Sequence, residues 1–207
     1  MANILVLDSS VLGDGSASKI LVEEAVHCLL EANPGATVEE RDLGTAPIPH
    51  LTTANVGVRG VPATKAELAA RVLSDELIAE LRVADTIVIG APIYNFRIPT
   101  GLRAWFDYVL RPGETFSYSE AGPQGLLTGK RAIVIESRGN LYSEGPTQAI
   151  DFREPYLRTL LRFIGLTDVT FIYAEKLGLG PQAREVALAA AKTKIAAVAR
   201  QSPAEAA

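Results

Sequence analysis

Three short segments of the chain carry groups suited to a small ligand that combines a phosphate with a flat ring. Segment 9–18 is rich in serine and glycine and leads into a predicted helix. Free backbone amides and the helix dipole favour an anion there, and hydroxyls at Ser10, Ser16 and Ser18 add donors. Segment 93–96 (Ile-Tyr-Asn-Phe) offers amides, a carboxamide and two aromatic faces, and segment 137–140 (Ser-Arg-Gly-Asn) offers further polar groups.

Each of these segments also has a simpler interpretation. Segment 9–18 could be helix capping by Ser16 or Ser18 with no ligand. Segment 93–96 could be an ordinary connection in which Tyr94 and Phe96 pack, and Arg138 could be an exposed arginine at a strand end. The pattern in 9–18 is neither a P-loop nor a complete G-x-G-x-x-G, which argues against an ATPase or a dinucleotide site.

The segments follow stretches of strand length that alternate with amphipathic helices. Strands are predicted at 4–7, 37–43, 86–89, 131–136 and 168–173. Five βα units predict an α/β protein: a flavodoxin-like doubly wound five-stranded parallel sheet in the order 2-1-3-4-5, with helices on both faces. In that order strands one, three and four are neighbours, so the three segments meet at one edge. A phosphate site beside ring contacts suits FMN more naturally than NAD.

Composition narrows the class of protein. The chain has 207 residues, 48% of them hydrophobic and 21% charged, which predicts a single domain spanning 1–207. A net charge of -4 gives no basic footprint for nucleic acid. Cys28 is the only cysteine, so neither an intrachain disulfide nor a cysteine metal cluster is expected, and no metal site is predicted. No apolar run reaches membrane-span length and no targeting pattern is seen, so we expect a cytoplasmic protein without membrane association.

Nearly the whole chain resembles the FMN-dependent NADH-azoreductases, also described as quinone oxidoreductases, of the flavodoxin-like superfamily. The resemblance rests on motifs in this order: Ser9-Ser10, Ser16-Ala17-Ser18, Ala91 to Phe96, Thr128-Gly129-Lys130, Ser137-Arg138-Gly139, Glu144-Gly145-Pro146 and Phe163 to Val169.

The resemblance implies which residues contact FMN. Those at the phosphate are Ser10, Ser16, Ala17 and Ser18. Those along the isoalloxazine are Ile93, Tyr94, Asn95 and Phe96, and those near its polar edge are Ser137, Arg138, Gly139 and Asn140. This chain departs from the family pattern at three places: Ala17 stands where Gln is frequent, Ile93 where Met is common, and Asn140 replaces a second glycine. Asn tolerates positive φ better than most residues, so the third segment can keep its shape.

The implied reaction uses NADH or NADPH to reduce quinones and aromatic azo compounds by a ping-pong mechanism. The flavin carries the chemistry, so no residue is predicted as a catalytic acid or nucleophile. Two alternatives remain: a flavodoxin-type electron carrier without its own substrate, and a phosphate-binding regulatory domain. The long segments 44–62 and 114–129 favour a substrate pocket over a carrier, and 114–129 is expected to form two short strands or an ordered lid.

The resemblance also implies a homodimer with active sites at the subunit interface. The helix after segment 93–96 is apolar on many sides, which predicts that part of it meets a partner. The residues concerned are Trp105, Phe106, Tyr108, Val109 and Leu110. Tyr118 and Phe163 are candidate walls of the acceptor pocket, one or both reaching across from the other subunit. The alternative for Phe163 is plain core beneath its helix.

Overall fold

A central parallel sheet organises the structure, a computed structural model that describes residues 2–56 and 60–201. Its five strands are β1 (Asn3–Asp8), β2 (Thr37–Asp42), β3 (Thr86–Gly90), β6 (Arg131–Ser137) and β7 (Asp168–Ala174). They lie in the order β2-β1-β3-β6-β7, with every pairing parallel. Counting only the sheet strands, this is the predicted order 2-1-3-4-5, so the flavodoxin-like fold is confirmed.

Five α-helices of the described residues cover both faces of the sheet. They are α1 (Ala17–Ala32), α2 (Lys65–Val83), α3 (Thr100–Val109), α4 (Glu154–Phe163) and α5 (Pro181–Ala199). One apolar core lies between the sheet and α2, α3 and α4, and the other lies between the sheet and α1 and α5. Strands β1, β3 and β6 are buried almost throughout, as their continuous apolar runs require when helices cover both faces.

The predicted excursion between β3 and the next sheet strand is a β-hairpin. Its strands β4 (Phe116–Ser119) and β5 (Gly122–Gly125) pair antiparallel and form a separate two-stranded sheet. The hairpin docks on the end of α4 so closely that a Cβ added to Gly125 would lie 2.1 Å from the Gly165 nitrogen. Backbone packs on backbone here, because neither residue has a side chain.

The prediction that α3 exposes an apolar surface to a partner is wrong. Trp105, Phe106, Tyr108 and Val109 are each at most 1% exposed within the single chain. Leu110, which follows the helix, is half-buried and packs on the core. Helix α2 covers one side, where Ser74 Oγ donates to the Tyr108 carbonyl at 2.6 Å.

The long connection after β2 covers a further side of α3. Asn55 Nδ2 donates to the Tyr108 hydroxyl at 3.1 Å, and Leu43 lies against Gly101. A helix can therefore be apolar on several sides without facing another subunit, because an irregular segment of the same chain supplies the cover. Residues 57–59 of the segment 44–62 lie outside the described residues.

None of the helices in the described ranges is long and apolar enough to cross a membrane.

Candidate functional site

The segment between β1 and α1 forms a capped helix start. Ser16 is the N-cap residue of α1, and its Oγ accepts from the Lys19 amide at 3.2 Å and lies 3.0 Å from Ser18 Oγ. The capping interpretation is therefore correct for Ser16. It does not exclude an anion site, because the cap uses only the Lys19 amide, and the first-turn amides of Ala17 and Ser18 stay available to a ligand.

Tyr94 joins the first segment to the second. Its hydroxyl lies 3.2 Å from Ser10 Oγ and accepts from the Val11 amide at 3.1 Å. Ser10 Oγ in turn accepts from the Leu12 amide at 3.3 Å. The two segments are thus held at a fixed separation by one phenol, whose ring also forms part of the lining between them.

The second segment contains a tight turn with unusual backbone angles. Tyr94 and Arg97 exchange backbone hydrogen bonds of 3.0 and 3.1 Å, which leaves Asn95 and Phe96 at the tip. Both have positive φ, 49° and 68°. Asn adopts this conformation readily, but for a bulky aromatic residue it costs about 1–3 kcal/mol. Phe96 is nonetheless 46% exposed, so the alternative that it packs in the core is wrong.

The second and third segments also meet through the backbone. The Ile93 amide donates to the Ser137 carbonyl at 3.0 Å. Beyond Ser137 the carbonyls of Arg138, Gly139 and Asn140 all accept from the segment after β7. The donors are the amides of Leu177 (3.1 Å), Gly178 (2.8 Å) and Lys176 (3.3 Å) respectively. Because C=O and the following N–H point oppositely in a trans peptide, the amides of Gly139 and Asn140 point away from 176–178. Both residues are exposed.

Arg138 is neither an exposed arginine nor a side chain at the solvent edge. It is 1% exposed, and its guanidinium stacks over the Tyr173 ring at 4.3 Å. It donates to Glu136 and pairs with Asp151 at 3.0 Å and with Glu175 at 2.9 Å. The Arg138 guanidinium is therefore not placed to contact a ligand at this edge. Its amide already donates to the Ala174 carbonyl at 2.8 Å, so the amides left for a ligand in this segment are those of Gly139 and Asn140.

Two of the carboxyl groups around Arg138 have shifted pKa values. Burial raises the pKa of Glu136, and the positive charges of Arg153 and Arg138 only partly offset it. For Glu175 burial also opposes ionisation, but hydrogen bonds from Ser143, the Tyr142 amide and Arg138 outweigh it and lower its pKa. Glu175 is therefore a stable anion at neutral pH.

Two residues beside the first segment were not predicted as site residues from the sequence. Asp8 is buried, and its Oδ1 accepts from the Ser10 amide at 3.2 Å while Oδ2 has no partner among the described residues. Burial raises the pKa of Asp8. Gly44 packs so closely that a Cβ there would lie 1.9 Å from the Ser10 carbonyl oxygen. Their position at strand ends was the available signal, since Asp8 ends β1 and Gly44 follows β2.

Tyr118 and Phe163 lie in one aromatic group at the hairpin. Phe116 stands between them, with ring centroids 5.4 Å from Tyr118 and 4.5 Å from Phe163. Phe163 is half-buried and packs on the core, whereas Tyr118 is 72% exposed. Within the described part of the chain no hydrogen bond or ring contact links this group to the three segments.

Known proteins match the chain along almost its full length. The model of a family with a flavodoxin-like fold matches residues 2–199. An FMN-dependent NADH:quinone oxidoreductase from Hyphomonas neptunium is 63% identical, with 97% of each chain covered. One from Ralstonia nicotianae is 49% identical, with 96% of this chain and 98% of that one covered.

Solved structures of similar proteins share the fold of this chain. An azoreductase from Bacillus anthracis has a TM-score of 0.89 at 29% identity, covering 97% of this chain and 99% of that one. An FMN-dependent NADH-azoreductase from Bacillus anthracis in complex with FMN shares the fold, with a TM-score of 0.85 at 23% identity over 96% of this chain and all of that one. The chain belongs to the flavodoxin-like family of FMN-dependent NADH:quinone oxidoreductases.

Proposed function

We propose that the protein is an FMN-dependent oxidoreductase that uses NADH, or NADPH, to reduce quinones and aromatic azo compounds. The observation that carries the proposal is the meeting of the three segments at one edge of the sheet. Tyr94 joins the first to the second, and the Ile93 amide joins the second to the third. The names of the relatives support the same reaction.

The residues present fit FMN. Its phosphate would lie on the amides of Ala17 and Ser18 with the hydroxyls of Ser10, Ser16 and Ser18, and its ring along 93–96. The polar edge of the ring would meet the amides of Gly139 and Asn140, because the Arg138 amide already donates to the Ala174 carbonyl. Added Cβ atoms at Gly13, Gly15 and Gly139 would meet nothing within 4 Å, which leaves open space along both ends of this track.

When bound, FMN supplies the two-electron chemistry between a reduced nicotinamide and an acceptor. The chain's own residues bind and orient the cofactor. The turn at Asn95–Phe96 fixes one wall, and the amides of Gly139 and Asn140 are donors for negative charge that develops at the polar edge. No side chain of the site is proposed as an acid or a base.

We propose a ping-pong mechanism in which donor and acceptor use the same site in turn. Initial rates against NADH at several quinone concentrations should then give parallel double-reciprocal lines. The test is anaerobic mixing of FMN-loaded protein with NADH, followed by a quinone or an azo dye. Turnover of a small quinone without a partner protein separates an enzyme from a flavodoxin-type carrier. Intersecting lines together with a detectable ternary complex would contradict the shared site.

The proposed assembly is a homodimer of single-domain chains. The buried helix α3 does not support a dimer, but the aromatic group at the hairpin does. Tyr118 is highly exposed, and among the described residues no hydrogen bond or ring contact links this group to the three segments of its own chain. We propose that Tyr118 and Phe163 form walls of the acceptor pocket, one or both reaching it from the other subunit. Sedimentation at micromolar concentration tests this, and a fully active monomer would contradict it. The cytoplasmic location stays a prediction from the sequence.

A further inference from the structure

Glu175 follows β7 and gathers hydrogen bonds from two other segments. Its Oε1 accepts from the Tyr142 amide at 2.7 Å, the Ser143 amide at 2.9 Å and Arg138 Nη1 at 2.9 Å. Its Oε2 accepts from Ser143 Oγ at 2.5 Å. One carboxylate therefore joins residues on both sides of Gly139 and Asn140.

The short stretch between these anchors is held from a second direction. The carbonyls of Arg138, Gly139 and Asn140 accept from the amides of 176–178, the residues directly after Glu175. Gly178 permits this approach, since a Cβ there would lie 3.0 Å from the Gly139 carbonyl oxygen. Side chain and backbone of one segment, 175–178, thus fix which way the Gly139 and Asn140 amides point.

The anchoring is buried and charge-assisted. Glu175 is 13% exposed in its side chain, and Arg138 is held by carboxylates from three different parts of the chain. Hydrogen bonds with an ionised partner are roughly twice as strong as neutral ones. The loop that presents the two amides is therefore fixed before any ligand arrives, as electrostatic preorganisation requires.

We propose that Glu175 is a positioning residue that sets the reduction potential of bound FMN by fixing the Gly139 and Asn140 amides. The inference rests on the proposed function. Two-electron reduction adds negative charge to the polar edge of the flavin, so fixed donors there bind the reduced cofactor more tightly than the oxidised one. Removing Glu175 loosens the donors and lowers the potential.

The test uses Glu175→Ala, Glu175→Gln and Gly178→Ala in the full chain. The control is Glu80→Ala, because the Glu80 side chain is 14% exposed and pairs with Arg41 on β2, the edge strand opposite β7. The measurements are the FMN dissociation constant, the potential of bound FMN against reference dyes, and amide hydrogen exchange of 139–143 in the FMN-free protein.

We expect Glu175→Ala to lose about tenfold in preference for reduced over oxidised FMN, which is about 30 mV for a two-electron couple. Exchange at 139–143 should speed up, and Glu175→Gln, which keeps an acceptor for the two amides, should recover most of both effects. Gly178→Ala should lower the potential too, since its Cβ displaces the Gly139 carbonyl. Glu80→Ala should change neither readout.

The inference is overturned if Glu175→Ala and Gly178→Ala fold and keep the wild-type potential, or if Glu80→Ala lowers it equally. Should Glu175→Ala fail to fold, Gly178→Ala decides alone, and a folded Gly178→Ala that keeps the wild-type potential overturns the inference. Failure of wild-type protein to bind FMN would refute the proposed function instead, and the hydrogen-exchange comparison would still report on the anchoring.

Discussion

Replacement of Ser16 by Asp tests the phosphate site with little damage to the fold. Ser16 caps α1 by accepting from the Lys19 amide, and Asp and Asn are both as good as Ser at that position. The matched control is Ser16→Asn. Its side chain has almost the same volume as that of Ser16→Asp, so any strain at this buried position is common to both variants. They differ in one negative charge.

That charge has a large expected effect on FMN. A carboxylate at position 16 would lie about 4 Å from a phosphate on the amides of Ala17 and Ser18. At an effective dielectric constant of about 20, two unit charges at this distance repel by about 4 kcal/mol. A tenfold change in affinity corresponds to about 1.4 kcal/mol, so Ser16→Asp should bind FMN about 10³-fold more weakly than Ser16→Asn.

Titration of the FMN-free variants with FMN, followed by quenching of flavin fluorescence, measures this ratio. Thermal unfolding without FMN verifies that the two variants are similarly stable. Equal affinity of two folded variants would refute the placement of the phosphate, whatever their activity. Strong added salt should reduce the ratio only modestly, because Ser16 is buried and screening acts mainly on exposed charges.

Four further substitutions test other features of the structure. Gly44→Ala should lower the free energy of unfolding by about 1–3 kcal/mol, or about 2–4 °C in Tm per kcal/mol, and weaken FMN binding, because its Cβ would meet the Ser10 carbonyl. The control is Gly60→Ala, where an added Cβ meets nothing within 4 Å and neither effect is expected. Equal Tm values for the two variants would contradict the close packing at Gly44. Asp8→Asn should become more stable relative to the wild type as pH rises from the ordinary aspartate pKa of 3.8 through the raised pKa of Asp8 in the folded protein, because only the wild type must then ionise a buried carboxyl. A difference in unfolding free energy that stays constant across pH 4–8 would argue against this. Tyr118→Leu and Phe163→Leu should keep FMN affinity but change kcat/KM for bulky azo dyes more than for small quinones, and an equal change for both acceptors would remove these residues from the pocket wall.

The sheet could be predicted from the sequence because most of its strands are marked by a local pattern of apolar residues. Continuous apolar runs such as 4–7 and 132–135 mark strands covered on both faces. The loops after β1, β3 and β6 meet because the carboxyl ends of parallel strands lie at the same edge of the sheet. The joining of Ser10 to Tyr94 follows from that order. The sequence predicts less well whether a segment binds a ligand or only caps a helix. Ser16 caps α1 and still leaves the amides of Ala17 and Ser18 available to a ligand.

The surroundings of Arg138 and α3 depend on distant parts of the chain. Arg138 is buried because Glu136, Asp151 and Glu175 converge on it, and no local pattern reveals that three carboxylates will meet. Helix α3 is covered by Asn55 and its neighbours, in a segment with no periodicity to read. In both cases the deciding contacts join elements whose relative placement the sequence pattern does not encode.

The contact between Gly125 and Gly165 makes the hairpin and the end of α4 a single rigid piece. Because backbone touches backbone there, no side-chain change can adjust the spacing, and both positions tolerate only glycine. The tip at 119–121 lies at the far end of this piece and is exposed. Variation in the size of accepted substrates is therefore expected to arise by exchanging or lengthening the tip, with the base left untouched. A library confined to 119–121 would explore substrate range at little risk to folding, whereas Gly122 has a φ of 107° and should stay glycine.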